Sequence, residues 1–298
     1  MMQYKFNMDD EVICDHLVSA QMKKIWAVQL AMVGKFAEVC ERHGLKWFAS
    51  GGTLIGAVRH QGYIPWDDDV DIHMLAEDYE KFCLVAAEEL APYFWQECRT
   101  KPGFSPWHAK IRDSRTTGCT QWEIDNWPDY MNKGIFIDIF PLYYIPDGEE
   151  AYAQQQRAVK QIAHQLWLFH WNRHNVLHPE AADRNDAYAK EFAEVYRKYT
   201  YEDLCRLYLE TCQSQRTPTK YVGATSFNCL EPRFVWPVEN YREMVDLPFM
   251  GSTIKGPIGW DACLKQQYGD YMKIVKGGSM HSSIVFDTET PFAEKLRH

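Results

Sequence analysis

The chain has 298 residues, 46% of them hydrophobic and 24% charged, which excludes an intrinsically disordered polypeptide and allows one large domain or two closely packed ones. A formal charge of −9, with no basic run longer than the pair Lys23-Lys24, argues against a nucleic-acid binder, whose affinity depends on a basic stripe. Nine cysteines without a C-x-x-C pattern argue against a disulfide framework or a zinc site and suit reduced thiols packed in a cytoplasmic protein.

The segment from Met1 to Asp15 is too polar and acidic for a signal peptide, and no apolar run approaches the roughly 20 residues that span a bilayer, so a soluble protein is expected. Residues 17–43 read as a long amphipathic helix, with Ile25, Val28, Met32, Phe36 and Cys40 at three- and four-residue steps and Gly44 as its stop. A short strand follows at 45–49. Ser50-Gly51-Gly52 breaks it, and Thr53 to Arg59 looks like one or two helical turns. Gly62, Pro65 and an acidic cluster form a loop that leads into a strand at 69–74, and 76–90 is a second helix. Strands are predicted at 94–98, 107–111 and 134–140. From about Glu149 to Ser214 the chain reads as helical, broken near His178-Pro179 and Thr200. Strand signals return over 221–257, and a short helix covers 260–271.

This pattern predicts an α/β (α+β) fold: a core with a mixed sheet over residues 1–148, then a helical cap and a C-terminal segment over 149–298 that completes a cleft. The boundary is soft, and a single domain fits as well.

Four aspartates fall within five positions, Asp67, Asp68, Asp69 and Asp71. Carboxylates held this close either raise a pKa or recruit a cation. Val70, Ile72 and Met74 alternate with Asp69, Asp71 and His73. On a strand, period two then puts Asp69 and Asp71 on one face while Val70 and Ile72 anchor the other. Two carboxylates presented side by side suit a hard divalent ion, Mg²⁺ or Mn²⁺. Asp138 stands as a lone acid inside Gly134-Ile135-Phe136-Ile137-Asp138-Ile139-Phe140-Pro141 and reads as a third ligand from a neighbouring strand. Ions held by three such acids could clamp the attacking and leaving oxygens of a phosphoryl transfer. Ser50, Gly51 and Gly52, between a strand and a helical turn, offer backbone N–H groups to a phosphate. Together these features resemble the layout of the nucleotidyltransferase-like fold.

At the residue level the resemblance narrows. Ser50 to Met74, SGGTLIGAVRHQGYIPWDDDVDIHM, is similar to the signature block of the LicD family, phosphocholine transferases of bacterial surface glycans related to the fukutin-type ribitol-phosphate transferases. The likeness continues at His108-Ala109-Lys110-Ile111-Arg112, at Gly134 to Leu142, and from Leu247 to Tyr271, so it covers roughly Lys46 to His281. It implies a nucleotidyltransferase-like core and transfer of phosphocholine, or another alcohol phosphate, from a CDP-activated donor such as CDP-choline. The acceptor would be a hydroxyl of a glycan or glycolipid, and CMP would be released.

Carried over by position, Asp69 and Asp71 match the metal-binding pair, Asp138 the third acid, and Asp67 a supporting one. Arg59, Lys110 and Arg112 match basic residues near the phosphates. Lys110 and Arg112 share strand parity, so both could enter one cleft. His281 could line the site, whereas His60 and His73 read as loop or supporting residues. A choline head group would favour aromatic walls and acids, which Trp66, Trp107, Trp122, Trp127, Glu123 and Asp125 could supply. Two other readings stay open: a nucleotidyltransferase moving NMP from an NTP, and a non-catalytic nucleotide- or metal-binding protein on the same fold.

Overall fold

The structure is a computed structural model describing residues 4–180, 182–224, 231–276 and 284–296. A small hairpin, β1 (Glu11–Ile13) and β2 (His16–Val18), precedes the long helix α1 (Ala20–His43). Ser19 caps α1 by accepting the Met22 N–H, and Gly44, at φ 64°, closes it in the left-handed conformation that glycine adopts without a Cβ clash. Then come β3 (Phe48–Ala49), α2 (Gly51–His60), β4 (Asp71–Leu75), α3 (Ala76–Glu89), β5 (Phe94–Gln96), β6 (Ala109–Asp113), β7 (Thr117–Thr120), α4 (Gln121–Asn126) and β8 (Ile135–Ile145). Three helices follow, α5 (Glu149–Leu177), α6 (Asp186–Tyr196) and α7 (Tyr201–Cys212). The chain ends with β9 (Tyr221–Ala224), β10 (Val235–Pro237), the hairpin β11 (Met244–Phe249) and β12 (Ser252–Pro257), α8 (Trp260–Tyr268), β13 (Ile284–Asp287) and α9 (Phe292–Lys295).

β8 is the longest strand and the centre of a seven-stranded mixed sheet. β4 runs parallel to one of its edges, with Asp71 opposite Asp138 and Leu75 opposite Leu142. The other edge is shared end to end by two antiparallel strands, β6 along 135–139 and β9 along 142–145. The alternation read from the sequence appears as two faces. Ile72, Met74, Ala109, Ile111, Ile137 and Ile139 pack under α1 and α3 around Met32, Val33, Phe36 and Phe82, forming the main core. The opposite face carries Asp71, His73, Lys110, Arg112 and Asp138.

α5, α6 and α7 enclose an apolar cluster of their own around Leu166, Leu168, Leu204 and Tyr208, which continues onto Tyr143 and Ile145 of β8. The chain after residue 148 also returns to the first half. β9 and β10 extend the central sheet, and β13 pairs with β7. Among the described residues no helix is long and apolar enough to cross a membrane, and the cysteines are free thiols, six of them buried.

Two local expectations change. The strand predicted from Asp69 begins at Asp71, which leaves Asp67, Asp68 and Asp69 in the loop before it. β7 and α4 fall between the strands predicted at 107–111 and 134–140, where no element was expected. Thr120 and Glu123 form a reciprocal capping box there, satisfying two orphan N–H groups of a helix only six residues long.

Candidate active site

The acid loop is held from behind. The indole N–H of Trp26 donates to the Asp67 carbonyl at 3.1 Å, and the Gln29 side-chain amide donates to the Asp68 carbonyl at 2.7 Å. Tyr63 stacks on Trp26, with ring centroids 4.5 Å apart, and its hydroxyl donates to Gln29 Oε1 at 3.1 Å. With the carbonyls of Asp67 and Asp68 turned toward α1, Asp67, Asp68 and Asp69 bring carboxylate oxygens within 4.8 Å of one another. Asp68 was counted in the acidic cluster of the sequence but given no site role there.

Asp71 and Asp138 are register partners on parallel strands, and Lys110 is the partner of Asp138 on its other edge. Side chains in register share a face, so the three project together. Lys110 Nζ lies 2.7 Å from Asp138 Oδ1 and 3.0 Å from Oδ2, over the Phe136 ring. His108 Nε2 stands 3.5 Å from Asp138 Oδ1. The tightest carboxylate trio is therefore Asp67-Asp68-Asp69, not Asp69-Asp71-Asp138 as expected, with Asp71 and Asp138 on the adjoining sheet face.

The electrostatics agree with one shared centre. Burial, reinforced by the charges of Asp69 and Asp68, pushes the Asp67 carboxyl up to about 8. Asp71 is held well above the usual carboxylate range by burial and by Asp69, Asp138 and Asp67, with Lys110 offsetting part of this. A site that strains to stay ionised and offers several carboxylate oxygens fits a hard divalent cation.

Helix α2 begins at this centre. Ser50 is its N-cap residue without a side-chain cap bond; its own N–H donates to the Asp71 carbonyl at 3.0 Å. Thr53 Oγ1 accepts the Asp71 N–H at 2.9 Å. Gly51 has φ 53°, and a Cβ there would meet Asp71 Oδ2 at 3.1 Å and the Tyr268 hydroxyl at 3.5 Å. A Cβ on Gly52 would overlap the Asp67 carboxylate. The two glycines thus make room for two acids at the positive end of a helix.

Tyr268 was quoted in the sequence only as part of a similar block. Its ring is part-exposed, but its hydroxyl sits beside the acids, and desolvation with the charges of Asp71, Asp67 and Asp69 raises its pKa. No spacing rule ties α8 to β4, so the sequence carried no signal for this contact.

The basic residues separate. Lys110 is in place. Arg112 shares its face but is fully buried, bonded to the carbonyls of Gly118 at 3.1 Å and Gly134 at 2.9 Å and to Glu123 Oε1 at 3.0 Å. Strand parity set its direction and not its depth. It braces α4 against the sheet in place of the phosphate role read for it. Arg59 lies at the far end of α2 from Gly51, on the carbonyls of Tyr271 at 2.7 Å and Lys273 at 3.3 Å, so it too departs from the expected role. His60 sits beside Arg59, at 2.9 Å from its Nε. His73 is buried against Tyr241 and pushed down to about 3 by desolvation. His281 lies outside the described residues.

Beside Lys110 opens a cavity of about 670 Å³. Trp107, Trp122 and Trp127 line it from the core and Trp167 and Trp171 from α5. Glu123 is at its edge, while Trp66 and Asp125 are not among its lining residues. Trp66 instead faces His16 of the β1–β2 hairpin, with ring centroids 5.9 Å apart.

Comparison with known proteins agrees with this picture. Residues 44–156 match the nucleotidyltransferase domain described as LicD/FKTN/FKRP. The chain is 27% identical over 258 residues to the lipopolysaccharide cholinephosphotransferase LicD of Haemophilus influenzae, covering 83% of this chain and 89% of that protein. It is also 48% identical over 40 residues to the human ribitol 5-phosphate transferase FKRP, a match covering 13% of this chain and 8% of that one. The likeness to the LicD family read from the sequence holds, and with it the mixed α/β fold.

Proposed function

We propose that this chain is a metal-dependent phosphotransferase of LicD type. It moves phosphocholine, or a similar alcohol phosphate, from a CDP-activated donor to a hydroxyl of a cell-surface glycan or glycolipid precursor and releases CMP. The observation that carries this reading is the shared sheet face of Asp71, Asp138 and Lys110, set against the Asp67–Asp69 loop. Choline is the first candidate because the relative similar over most of the chain is named a cholinephosphotransferase. The cytoplasm is the expected compartment, since nine cysteines without a close-spaced pair suit a reducing environment.

Asp67, Asp69, Asp71 and Asp138 would hold Mg²⁺ or Mn²⁺, with Asp68 adjoining them. The bound ion supplies neutralisation of the phosphate oxygens and of the charge that develops on the departing CMP. The residues do the rest. Asp138 orients the acceptor hydroxyl and takes its proton as the hydroxyl oxygen bonds to the donor's β-phosphorus; the bond from that phosphorus to the bridging oxygen breaks, and the oxygen leaves with CMP. Lys110 keeps a positive charge beside Asp138 and the transferred phosphoryl group. The α2 N-terminus, open at Gly51 and Gly52, offers N–H groups and a favourable dipole to the donor phosphates.

The test is an assay of the full chain with CDP-choline, CDP-ethanolamine and CDP-ribitol, with Mg²⁺ and glycan acceptors. Metal-dependent CMP release supports the reading. Release of pyrophosphate from an NTP would replace it with nucleotidyl transfer, and the absence of any metal-dependent turnover would leave a binding protein.

A further inference from the structure

The cavity beside Lys110 belongs to neither the acid centre nor the main core. Two structural units build it: the loop before β6 with α4, and one face of α5. In α5, Trp167, His170, Trp171 and His174 recur at three- and four-residue steps and so share one side of the helix. These four residues lie beyond the matched domain, which ends at 156. Lys110 lines the cavity while its Nζ contacts Asp138, so the cavity adjoins the proposed transfer site through this residue.

Its charges are already balanced within the protein. Glu123 accepts from Arg112 at 3.0 Å and from the Thr120 N–H at 2.7 Å, and Lys110 is paired with Asp138. A quaternary ammonium would find indole faces. It would also meet the Lys110 ammonium, while the Glu123 carboxylate on the same wall is already engaged. A neutral polyol meets no such opposition. A sugar ring can lay its C–H face on an indole and turn its hydroxyls to polar edges. Those edges are present on α5. His170 and His174 each use one ring nitrogen, on Tyr201 and Asn126, leaving the other. The volume of about 670 Å³ is within the roughly 300–1,000 Å³ usual for small-molecule sites, whereas a group as small as choline would fill little of it.

We infer that this cavity binds a neutral sugar ring of the acceptor and delivers one of its hydroxyls to Asp138, with Trp167 and Trp171 of α5 setting which sugar is accepted. The inference rests on the phosphotransferase reading for the identity of the bound sugar as acceptor, but the binding itself needs no turnover.

The experiment is a titration of intrinsic tryptophan fluorescence of the full chain, in chelator, with methyl glycosides of galactose, glucose and N-acetylgalactosamine, and separately with choline chloride and CMP. Saturable quenching by at least one glycoside is expected. It should weaken at least tenfold in Trp122→Ala, whose ring is 45% exposed and can be removed with little cost to folding, and in Trp171→Ala, with Trp171→Phe recovering most of it. Quenching by choline or CMP that is lost in the same variants would assign the cavity to the donor and overturn the inference, as would absence of quenching by all three glycosides. In turnover, the alanine variants should raise KM for the glycan and leave KM for the CDP donor unchanged. A failure of CMP release with intact glycoside binding would count against the enzyme reading alone.

Discussion

Asp71 and Asp138 stand directly opposite each other on adjacent parallel strands, although a helix, four further elements and a long loop separate them in the chain. Parallel pairing needs a crossover, and here the crossover includes β6, which returns to place Lys110 on the same acid from the other side. Asp71→Asn and Asp138→Asn are each expected to lower CMP release by a factor of about 100 to 1,000, the range seen when one charge-stabilising group is removed. Thermal unfolding without metal should not worsen in Asp71→Asn, because the substitution removes a buried like-charge repulsion. Loss of activity that tracks loss of folded protein would refute the assignment.

The acid loop should make the metal-free protein pH-sensitive. Asp67 is raised to about 8 when folded, against about 3.9 for an unfolded chain, and Asp71 shifts the same way. Between those values the folded state keeps protons that the unfolded chain has lost, so stability falls as pH rises from about 4 to about 8. In chelator, the unfolding temperature at pH 8 should be below that at pH 5. Excess Mg²⁺ should reverse this at pH 8, since a ligand at 100 times its Kd adds about 2.7 kcal/mol. Asp67→Asn should flatten the profile.

Lys110 and Asp138 are a buried pair, 7% and 4% exposed. Lys110→Met leaves a carboxylate without its counter-charge and is expected to cost about 3–5 kcal/mol, read by urea unfolding. The double variant Lys110→Met/Asp138→Asn should recover most of that stability. Neither should turn over. Equal stability of the single and double variants would show that the pair does not hold the sheet face together.

Gly52→Ala separates geometry from folding. The added methyl meets the Asp67 carboxylate, the free end of a side chain that can swing away, so stability should change by less than about 1 kcal/mol. The displaced acid should nevertheless weaken Mg²⁺ binding and cut turnover at least tenfold. Wild-type Mg²⁺ affinity in this variant would show that Asp67 stands outside the centre.

Much of the fold was legible because it rests on short-range periodicity. The steps of α1, the alternation of Ile72 and Met74, and the apolar run of β8 all follow from residues within one element. The site was legible where the same periodicity pointed, at Asp71, Asp138 and Lys110. It failed where depth or distant packing decides. Arg112 has the parity of Lys110, yet Glu123 and the carbonyls of Gly118 and Gly134 close over it. Tyr268 reaches the acids from α8, and the five indoles meet only because α5 folds back over the sheet. The Thr120–Glu123 capping box was a local signal for α4 that the sequence analysis did not use.

Trp26 and Gln29, which grip the carbonyls of Asp67 and Asp68, belong to α1 and precede the matched region that starts at residue 44. A protein trimmed to that matched domain would keep every proposed ligand and lose the clamp that aims them. Engineers grafting this centre onto another scaffold should therefore transplant the helix along with the signature.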